Sequence, residues 1–228
     1  MMGENILIIG AGGHGSEIHS YIQDLTIQDN GLRLIGFIDE HKASGPWQGT
    51  EILGDLNVLK TLVGHQAEVN CLYITALGSN RLRREIVRKL DSLSLRNLSA
   101  WTLRHPDAVV GRRNEIGEGT CLAPSSIVTT NVHIGRHCIL NVHASVSHDS
   151  VVGDFSNINP GATIAGNVMV GEGCFIGAGA TVIEKITIGD WAVIGAGAVV
   201  IDDIPPGALA VGVPARVVKR GDEKGLAR

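Results

Sequence analysis

Every sixth residue from Val110 to Val200 is aliphatic: Val110, Ile116, Leu122, Val128, Ile134, Leu140, Val146, Val152, Ile158, Ile164, Val170, Ile176, Val182, Ile188, Ile194 and Val200. No insertion interrupts the series. Four residues after each aliphatic comes mostly a small or apolar residue, such as Ser126, Cys138, Ala144, Ala162, Cys174, Ala180, Ala192 or Ala198. Glycine recurs just after the aliphatic position, at Gly117, Gly135, Gly153, Gly171, Gly177, Gly189 and Gly195, where a Cβ would crowd a bend. An unbroken six-residue period predicts a parallel β-helix in which each hexad forms one side of a coil. Three hexads make a triangular coil, so residues 18 apart should stack about 4.8 Å from one another, in roughly five coils. Pro205-Pro206 should end the repeat, because two prolines cannot continue a hydrogen-bonded ladder.

The first hundred residues follow another rule. Asn5–Ile9 reads as a buried strand that runs into Gly10-Ala11-Gly12-Gly13-His14-Gly15. Ile18, Tyr21, Ile22 and Leu25 then fall on one face of a helix starting near Ser16. Leu32–Ile38 and Val69–Thr75 are the second and third strands, and Asp55 can cap a short helix carrying Leu56, Leu59 and Leu62. Leu82, Ile86 and Leu90 mark a further helix. Strands alternating with helices predict a parallel sheet with crossover connections. The chain thus divides into an α/β domain over residues 1–104 and a β-helix domain over 105–228.

The glycine stretch matches the Gly-x-Gly-x-x-Gly dinucleotide fingerprint, with Asp39 as an acidic residue downstream. A dehydrogenase would need a second half-fold and a substrate domain, and the hexads occupy that length. A three-stranded half-Rossmann fold has room for one mononucleotide, whose phosphate the N–H groups at a helix start attract. A single nucleotide phosphate is therefore expected in place of NAD.

Composition removes other classes. A net charge of −4 gives no electrostatic reason to bind nucleic acid. No apolar run approaches the roughly 18 residues of a spanning helix, and Met1-Met2-Gly3-Glu4 is no basic leader. Cys71, Cys121, Cys138 and Cys174 are scattered without metal-ligand spacing, so free thiols, no metal and a cytoplasmic location are expected. His133, His137 and His143 cluster at spacings of four and six that fit no familiar metal site, and rim positions are expected for them. His19, His41 and His65 have no motif around them and are expected at the surface.

Stacking by 18 draws the outside of the β-helix. Two places after each aliphatic, one column reads Glu118, Arg136, Asp154, Glu172, Asp190, a charged edge. A second reads Pro124, Val142, Pro160, Ala178, Ala196, a small apolar strip suited to a thin ligand arm or to subunit packing. The third reads Arg112, Thr130, His148, Gly166, Glu184, Asp202. His148 stands outward with a glycine one coil on, which leaves space beside an imidazole able to act as a base near neutral pH. The backbone N–H of that region can face a developing oxyanion. Asp149 can orient or polarise His148, through the backbone or across a subunit boundary, since adjacent side chains seldom meet face to face. Nothing marks Ser147 or Ser150 as a nucleophile, so direct attack in a ternary complex is expected.

The hexads VGEGCF, IGAGAT and IGAGAV, the closing VGVPAR, and the N-terminal GAGGHG, FIDE and ALGSNRLRREI together resemble the bacterial sugar-nucleotide N-acetyltransferases of the hexapeptide-repeat acyltransferase family, related to sialic acid O-acetyltransferases. The resemblance spans the whole chain. It implies a left-handed parallel β-helix, a homotrimer with active sites between subunits, and acetyl-CoA as donor. It also implies that Gly12, Gly13, His14, Gly78, Ser79 and Asn80 contact a nucleotide sugar, with Asp39 and Glu40 near its base. By the same resemblance His148 is the catalytic base, Asp149 its acidic partner and Asn141 an active-site residue. Gly166 would donate to the acetyl carbonyl, Asn157 would stand where some members carry a second histidine on acetyl-CoA, and Arg216, Lys219 and Arg220 form a basic tail near CoA. The implied reaction is N-acetylation of a nucleotide-linked amino sugar in surface-glycan synthesis. O-acetylation of a sialic-acid-like sugar and a trimeric nucleotide-sensing scaffold are the alternatives. A capping role is open for Ser79 and Asn80, as is a strand end for Asp39.

Overall fold

The structure is a computed structural model that describes residues 4–28, 31–63 and 70–221; His65 and Val69 lie outside the described residues. The chain divides into two compact units between Trp101 and Thr102.

In the first unit β1 (Glu4–Ile9) leads into α1 (Gly13–Gln28), then β2 (Leu32–Ile38), β3 (Gly45–Trp47), β4 (Thr50–Gly54), a 3-10 turn and α2 (Leu59–Leu62), β5 (Cys71–Thr75), α3 (Asn80–Ser92) and β6 (Leu98–Ala100). The sheet order is β3-β4-β2-β1-β5-β6, parallel except for β3 against β4. It has six strands where the sequence pattern suggested three. The additional strands, β3 and β6 at the sheet's edges and β4 next to β3, are short and lack the alternating or all-apolar signature of a buried strand. Ile6, Leu7, Ile8, Phe37, Ile38 and Ile74 are fully buried at its centre, as strands covered on both faces require. Ile18, Tyr21 and Ile22 seal α1 onto it. Asp55 caps the 3-10 turn, its carboxylate accepting from Asn57 N–H. On α3 the buried face is Arg83, Ile86, Val87 and Leu90, while Leu82 is exposed. Arg83 replaces Leu82 in the stripe because its Nη1 donates to Leu77 O at 2.6 Å, so a buried guanidinium ties down the loop before the helix.

The second unit places a two-residue strand in every hexad, from β7 (Leu103–Arg104) to β23 (Val199–Val200). Three parallel sheets result: face I holds β7, β10, β13, β16, β19 and β22; face II holds β8, β11, β14, β17, β20 and β23; face III holds β9, β12, β15, β18 and β21. Each residue pairs with the one 18 positions on, as Ser145 with Thr163 and Val152 with Val170. The aliphatic positions from Leu122 to Val200 point inward and form one continuous core with the small residues four places later. The fold is therefore the expected α/β unit followed by a parallel β-helix.

The prolines do not end the ladder. Ile204 bridges Ile188, and β24 (Ala208–Val211) pairs in parallel with β22, Val193 facing Leu209 and Ile194 facing Ala210. The last coil shortens to a 16-residue step, so Pro205 and Pro206 occupy an exposed bend where no ladder N–H is needed. β25 (Arg216–Arg220) then returns antiparallel to β24.

Candidate active site and nucleotide cleft

The fourth residue of each hexad, three after the aliphatic, lies in the left-handed region at corner after corner, Arg113, Asn131, Asp149, Asn167 and Lys185 forming one such column. At Asp149 (φ 58°) this conformation breaks the alternation that sends neighbouring extended side chains to opposite sides. His148 and Asp149, which follow β14 (Ser145–Val146), consequently meet side chain to side chain, Nδ1 to Oδ2 at 2.8 Å. This corrects the expectation that adjacent residues could couple only through the backbone or a subunit boundary.

Asp149 also accepts at Oδ1 from Asn131 Nδ2, one coil below, at 3.0 Å. The hydrogen bond from His148 and then that from Asn131 hold its carboxyl below the usual range, against burial and with help from the charges of His148 and Arg113. An ionised Asp149 can only accept, so His148 Nδ1 carries the proton and Nε2 presents a lone pair outward. The imidazole stands against Gly166: a Cβ there would stand 2.6 Å from Cε1 and 2.7 Å from Nε2. Among the described residues the Gly166 N–H donates to no backbone carbonyl. The Gly166 backbone thus lies against the imidazole and its N–H is not spent on the ladder, an arrangement suited to acyl transfer to an amine.

The corner between faces II and III carries His148, Asp149 and Gly166, whereas Asn141, Ala178 and Ala196 lie at the corner between faces I and II. One chain does not bring the two sets together. At the second corner Ala178, Gly179, Ala196 and Gly197 are exposed, and a Cβ on either glycine would touch nothing within 4 Å, so the strip is open. Asn141 turns its Oδ1 onto Val142 N–H at 2.8 Å. Asn157, by contrast, is 3 % exposed in β16 (Asn157–Ile158). Among the assigned residues it shares that burial with Gly166, which lies against the His148 ring, and with Asn80.

His137 is not a rim residue: it is fully buried and stacked on Phe155, ring centroids 5.4 Å apart. His133 pairs with Glu115 at 3.0 Å, and His143 is exposed. Among the described residues no three His, Cys, Asp or Glu side chains are placed to hold a metal ion. The four cysteines are free and buried, and burial pushes the Cys174 thiol up to about 12, which keeps it protonated and non-nucleophilic. Ser150 is buried with its hydroxyl donated to Ala165 O at 3.0 Å. Arg216 is exposed and meets Asp202 at 3.3 Å, with Lys219 and Arg220 exposed beyond it.

In the α/β unit, Gly10 turns the chain at φ 112°, where a Cβ would strike Leu77 and the Ala76 carbonyl. Gly15 packs against the Gly10 carbonyl, whereas a Cβ on Gly12, Gly13 or Gly78 would meet nothing within 4 Å. The steric demand of the motif therefore falls on Gly10 and Gly15, and Gly12 and Gly13 leave an open approach to the start of α1. His14 donates to Glu17 at 2.9 Å, which holds Glu17 below its ordinary range, and His14 Nε2 is buried without a partner.

Asp39 does end its strand, as one of the two readings held: it accepts from Ala11 N–H at 2.8 Å and from His41 and Lys42 N–H. Burial raises its pKa, but these three bonds and the Lys42 charge together leave it lowered. Glu40 accepts from Leu56 N–H at 3.0 Å. Both acids border a cleft at the carboxyl ends of β1 and β2, lined on its apolar side by Leu77, Leu82 and Ile86. Such a crevice is where open α/β sheets take ligands. Ser79 caps α3, accepting from Leu82 N–H, and Asn80 begins the helix, 7 % exposed. Lys42 and Trp47 carried no motif in the sequence. The Lys42 ammonium nevertheless donates to Ala11 O at 2.6 Å and lies 3.5 Å over the Trp47 ring, beside the glycine turn.

Residues 5–90 match the PglD N-terminal domain family, and residues 149–184 and 167–202 match the bacterial transferase hexapeptide (six repeats) family. A histidine-to-alanine variant of GDP-perosamine N-acetyltransferase from Caulobacter crescentus, solved with CoA and GDP-perosamine, is similar at 32 % identity and a TM-score of 0.85, covering 96 % of this chain and 97 % of that one. The acetyltransferase domain of PglB from Neisseria gonorrhoeae is similar at 30 % identity and TM-score 0.82, covering 94 % of this chain and 100 % of that chain. GDP-perosamine N-acetyltransferase of Escherichia coli O157:H7 is 31 % identical over 127 residues, 55 % of this chain and 54 % of that protein. The chain thus spans about half the length of that curated relative, and 24 % of an uncharacterised Acanthamoeba polyphaga mimivirus protein that it also matches. With both halves matched and the solved relatives covered nearly end to end, the chain belongs to the hexapeptide-repeat family of sugar-nucleotide N-acetyltransferases.

Proposed function

We propose that this protein transfers the acetyl group of acetyl-CoA to the amino group of a nucleotide-linked amino sugar, with His148 as general base. The carrying observation is the His148 imidazole, fixed by Asp149 through Nδ1 and set against Gly166 with Nε2 outward. The acceptor amine attacks the thioester carbonyl, Nε2 takes its proton, and the Gly166 N–H faces the oxygen that becomes negative. Asp149 stabilises the resulting imidazolium. Collapse of the adduct expels the CoA thiolate and leaves the amide. Ser150, two residues from His148, is buried and engaged and offers no acyl-enzyme route.

The nucleotide is held on the α/β unit by Gly12, Gly13, His14, Gly78 and Asn80, with its base at the cleft bordered by Asp39 and Glu40. The pantetheine arm follows Ala178 and Ala196, with Arg216 toward the CoA phosphates. Because His148 and this strip occupy different corners of one β-helix, a trimer that faces one chain's strip toward the next chain's His148 completes the site, with Asn141 entering from the strip's side. The buried Asn157 is left to support face I. Relatives solved with CoA and GDP-perosamine support this substrate class. A cytoplasmic location, ahead of surface-glycan assembly, goes with this reading.

A panel of UDP-, dTDP- and GDP-linked amino sugars, each incubated with the protein and acetyl-CoA, tests the reading. One member should gain an acetyl group on nitrogen, by mass and by loss of amine reactivity. His148→Ala should lower kcat for it by about 10²–10⁴ with the KM for acetyl-CoA little changed. No acetylation of any amine, with transfer to a sialic-acid-like hydroxyl instead, would replace it by the O-acetyltransferase alternative.

A further inference from the structure

The left-handed corner column extends the His148–Asp149 pair downward through two more coils. Arg113 Nε donates to Asn131 Oδ1 at 2.6 Å, and Arg113 Nη2 donates to Thr130 Oγ1 at 3.2 Å. Thr130 in turn donates to Arg112 O at 2.9 Å. Asn131 Nδ2 donates to Asp149 Oδ1 at 3.0 Å, and Asp149 Oδ2 closes on His148 Nδ1 at 2.8 Å. Each step from Arg113 to Asn131 to Asp149 spans one coil, 18 residues in sequence.

The chemistry of the members gives this ladder one polarity. A guanidinium has five N–H donors and no acceptor, so only the carbonyl oxygen of the Asn131 amide can face it. The amide NH₂ is then turned toward Asp149, whose ionised carboxylate has only acceptors. Asp149 must meet a donor at His148, which selects the Nδ1–H tautomer and leaves the lone pair at Nε2. Fixed charge enters at one end and a proton acceptor emerges at the other.

We propose that Arg113 and Asn131 are positioning residues for the reaction, a donor-only anchor and an amide link that together set the tautomer and orientation of His148. Neither touches the reacting atoms, and the proposal rests on His148 being the base. Asp149 is also held on its second oxygen from the coil below, which fixes the carboxylate that faces the ring. The hydrogen bonds to Asp149 are charge-assisted and hence of the stronger kind.

The ¹⁵N shifts of the imidazole nitrogens in histidine-labelled protein test this without any substrate. The His148 signals are identified by their loss in His148→Gln. Wild type should show a protonated Nδ1 and an unprotonated Nε2 at a pH where the ring is neutral. Asn131→Leu and Arg113→Met should move His148 toward a mixture of tautomers, Asn131→Leu further, and Arg113→Lys should restore part of the wild-type pattern. With whichever UDP-, dTDP- or GDP-amino sugar is acetylated, kcat should fall about tenfold in Asn131→Leu and less in Arg113→Met, while KM for both substrates stays within about twofold. Circular dichroism confirms that the variants fold.

Unchanged His148 nitrogens in folded Asn131→Leu and Arg113→Met would overturn the proposal, whatever happened to kcat. A fall in kcat without a tautomer change would also overturn it. His148→Gln retaining wild-type kcat is a separate result: it would remove His148 as base and leave the tautomer measurement to judge the ladder alone.

Discussion

Gly166→Ala adds a single carbon in a place where its consequences can be worked out. The new Cβ would stand 2.6 Å from His148 Cε1 and 2.7 Å from Nε2, against ordinary contacts of 3.4–4 Å. The ring must withdraw by roughly 1 Å, and a displacement of that size costs about 10²-fold in a positioned reaction. That is about 2.7 kcal/mol of lost transition-state stabilisation. The fold has little reason to suffer. Gly166 is not in the left-handed region, the atoms struck belong to a side chain 56 % exposed, and the ring can swing into solvent. The melting temperature should therefore stay within about 3 °C of wild type. Alanine keeps the backbone N–H, so the variant separates the placing of the base from the oxyanion donor. Stopped-assay kinetics with acetyl-CoA and the accepted amino sugar should show a lower kcat and nearly unchanged KM values. A folded Gly166→Ala enzyme with kcat within threefold of wild type would refute the argument, because the ring could then move without consequence.

Four further outcomes are expected. Gly13→Val should leave the fold intact, since a Cβ there meets nothing within 4 Å, but should abolish calorimetric binding of the nucleotide sugar while acetyl-CoA binding persists; NAD binding lost in its place would restore a dehydrogenase-like reading. Gly15→Ala, pressed against the Gly10 carbonyl, should instead destabilise the α/β unit by about 1–3 kcal/mol in denaturant unfolding. Ala178→Trp or Ala196→Trp should raise the KM for acetyl-CoA at unchanged particle size by light scattering, and an unaffected KM would show that the CoA arm runs elsewhere. The lowered pKa of Asp149 means the folded chain keeps that carboxylate charged where the unfolded chain would protonate it. The stability it contributes is present above about pH 4 and is lost as pH falls through the depressed folded value. Asp149→Asn should accordingly flatten the acid side of the Tm–pH curve, and an unaltered acid slope would deny the coupling to His148 and Asn131.

The β-helix was legible because its core is one-dimensional. An inward aliphatic at every sixth position from Leu122 to Val200 is both a sequence rule and a buried column, and no second element competes for those side chains. The α/β unit was less so. β1, β2 and β5 carry buried apolar residues, but β3 and β6 are edge strands and β4, between β3 and β2, is short and mixed in character, so their pairing depends on backbone groups that any residue supplies. The ladder beyond Pro205-Pro206 was hidden for a related reason. Its 16-residue step breaks the register that made the repeat visible, while the pairing resumes because Ala208–Val211 supplies the N–H groups that the prolines lack.

At the candidate site the periodicity located His148 over Gly166 but not what holds the ring there. Columns taken two places after each aliphatic follow the outward side chains of extended backbone. The deciding column lies one place further on, where Arg113, Asn131, Asp149, Asn167 and Lys185 take positive φ. Asparagine and aspartate at the 18-residue spacing were a usable signal, since these residues tolerate the left-handed region better than most. That conformation does two things at once: it turns the coil, and it brings the side chain of Asp149 onto the same side as that of its neighbour. A residue chosen to make the corner is thereby available to fix the base. The geometry of the His148–Asp149 pair and that of the coil are therefore one constraint at residues 148 and 149, and a change that relaxes the turn should loosen the imidazole with it.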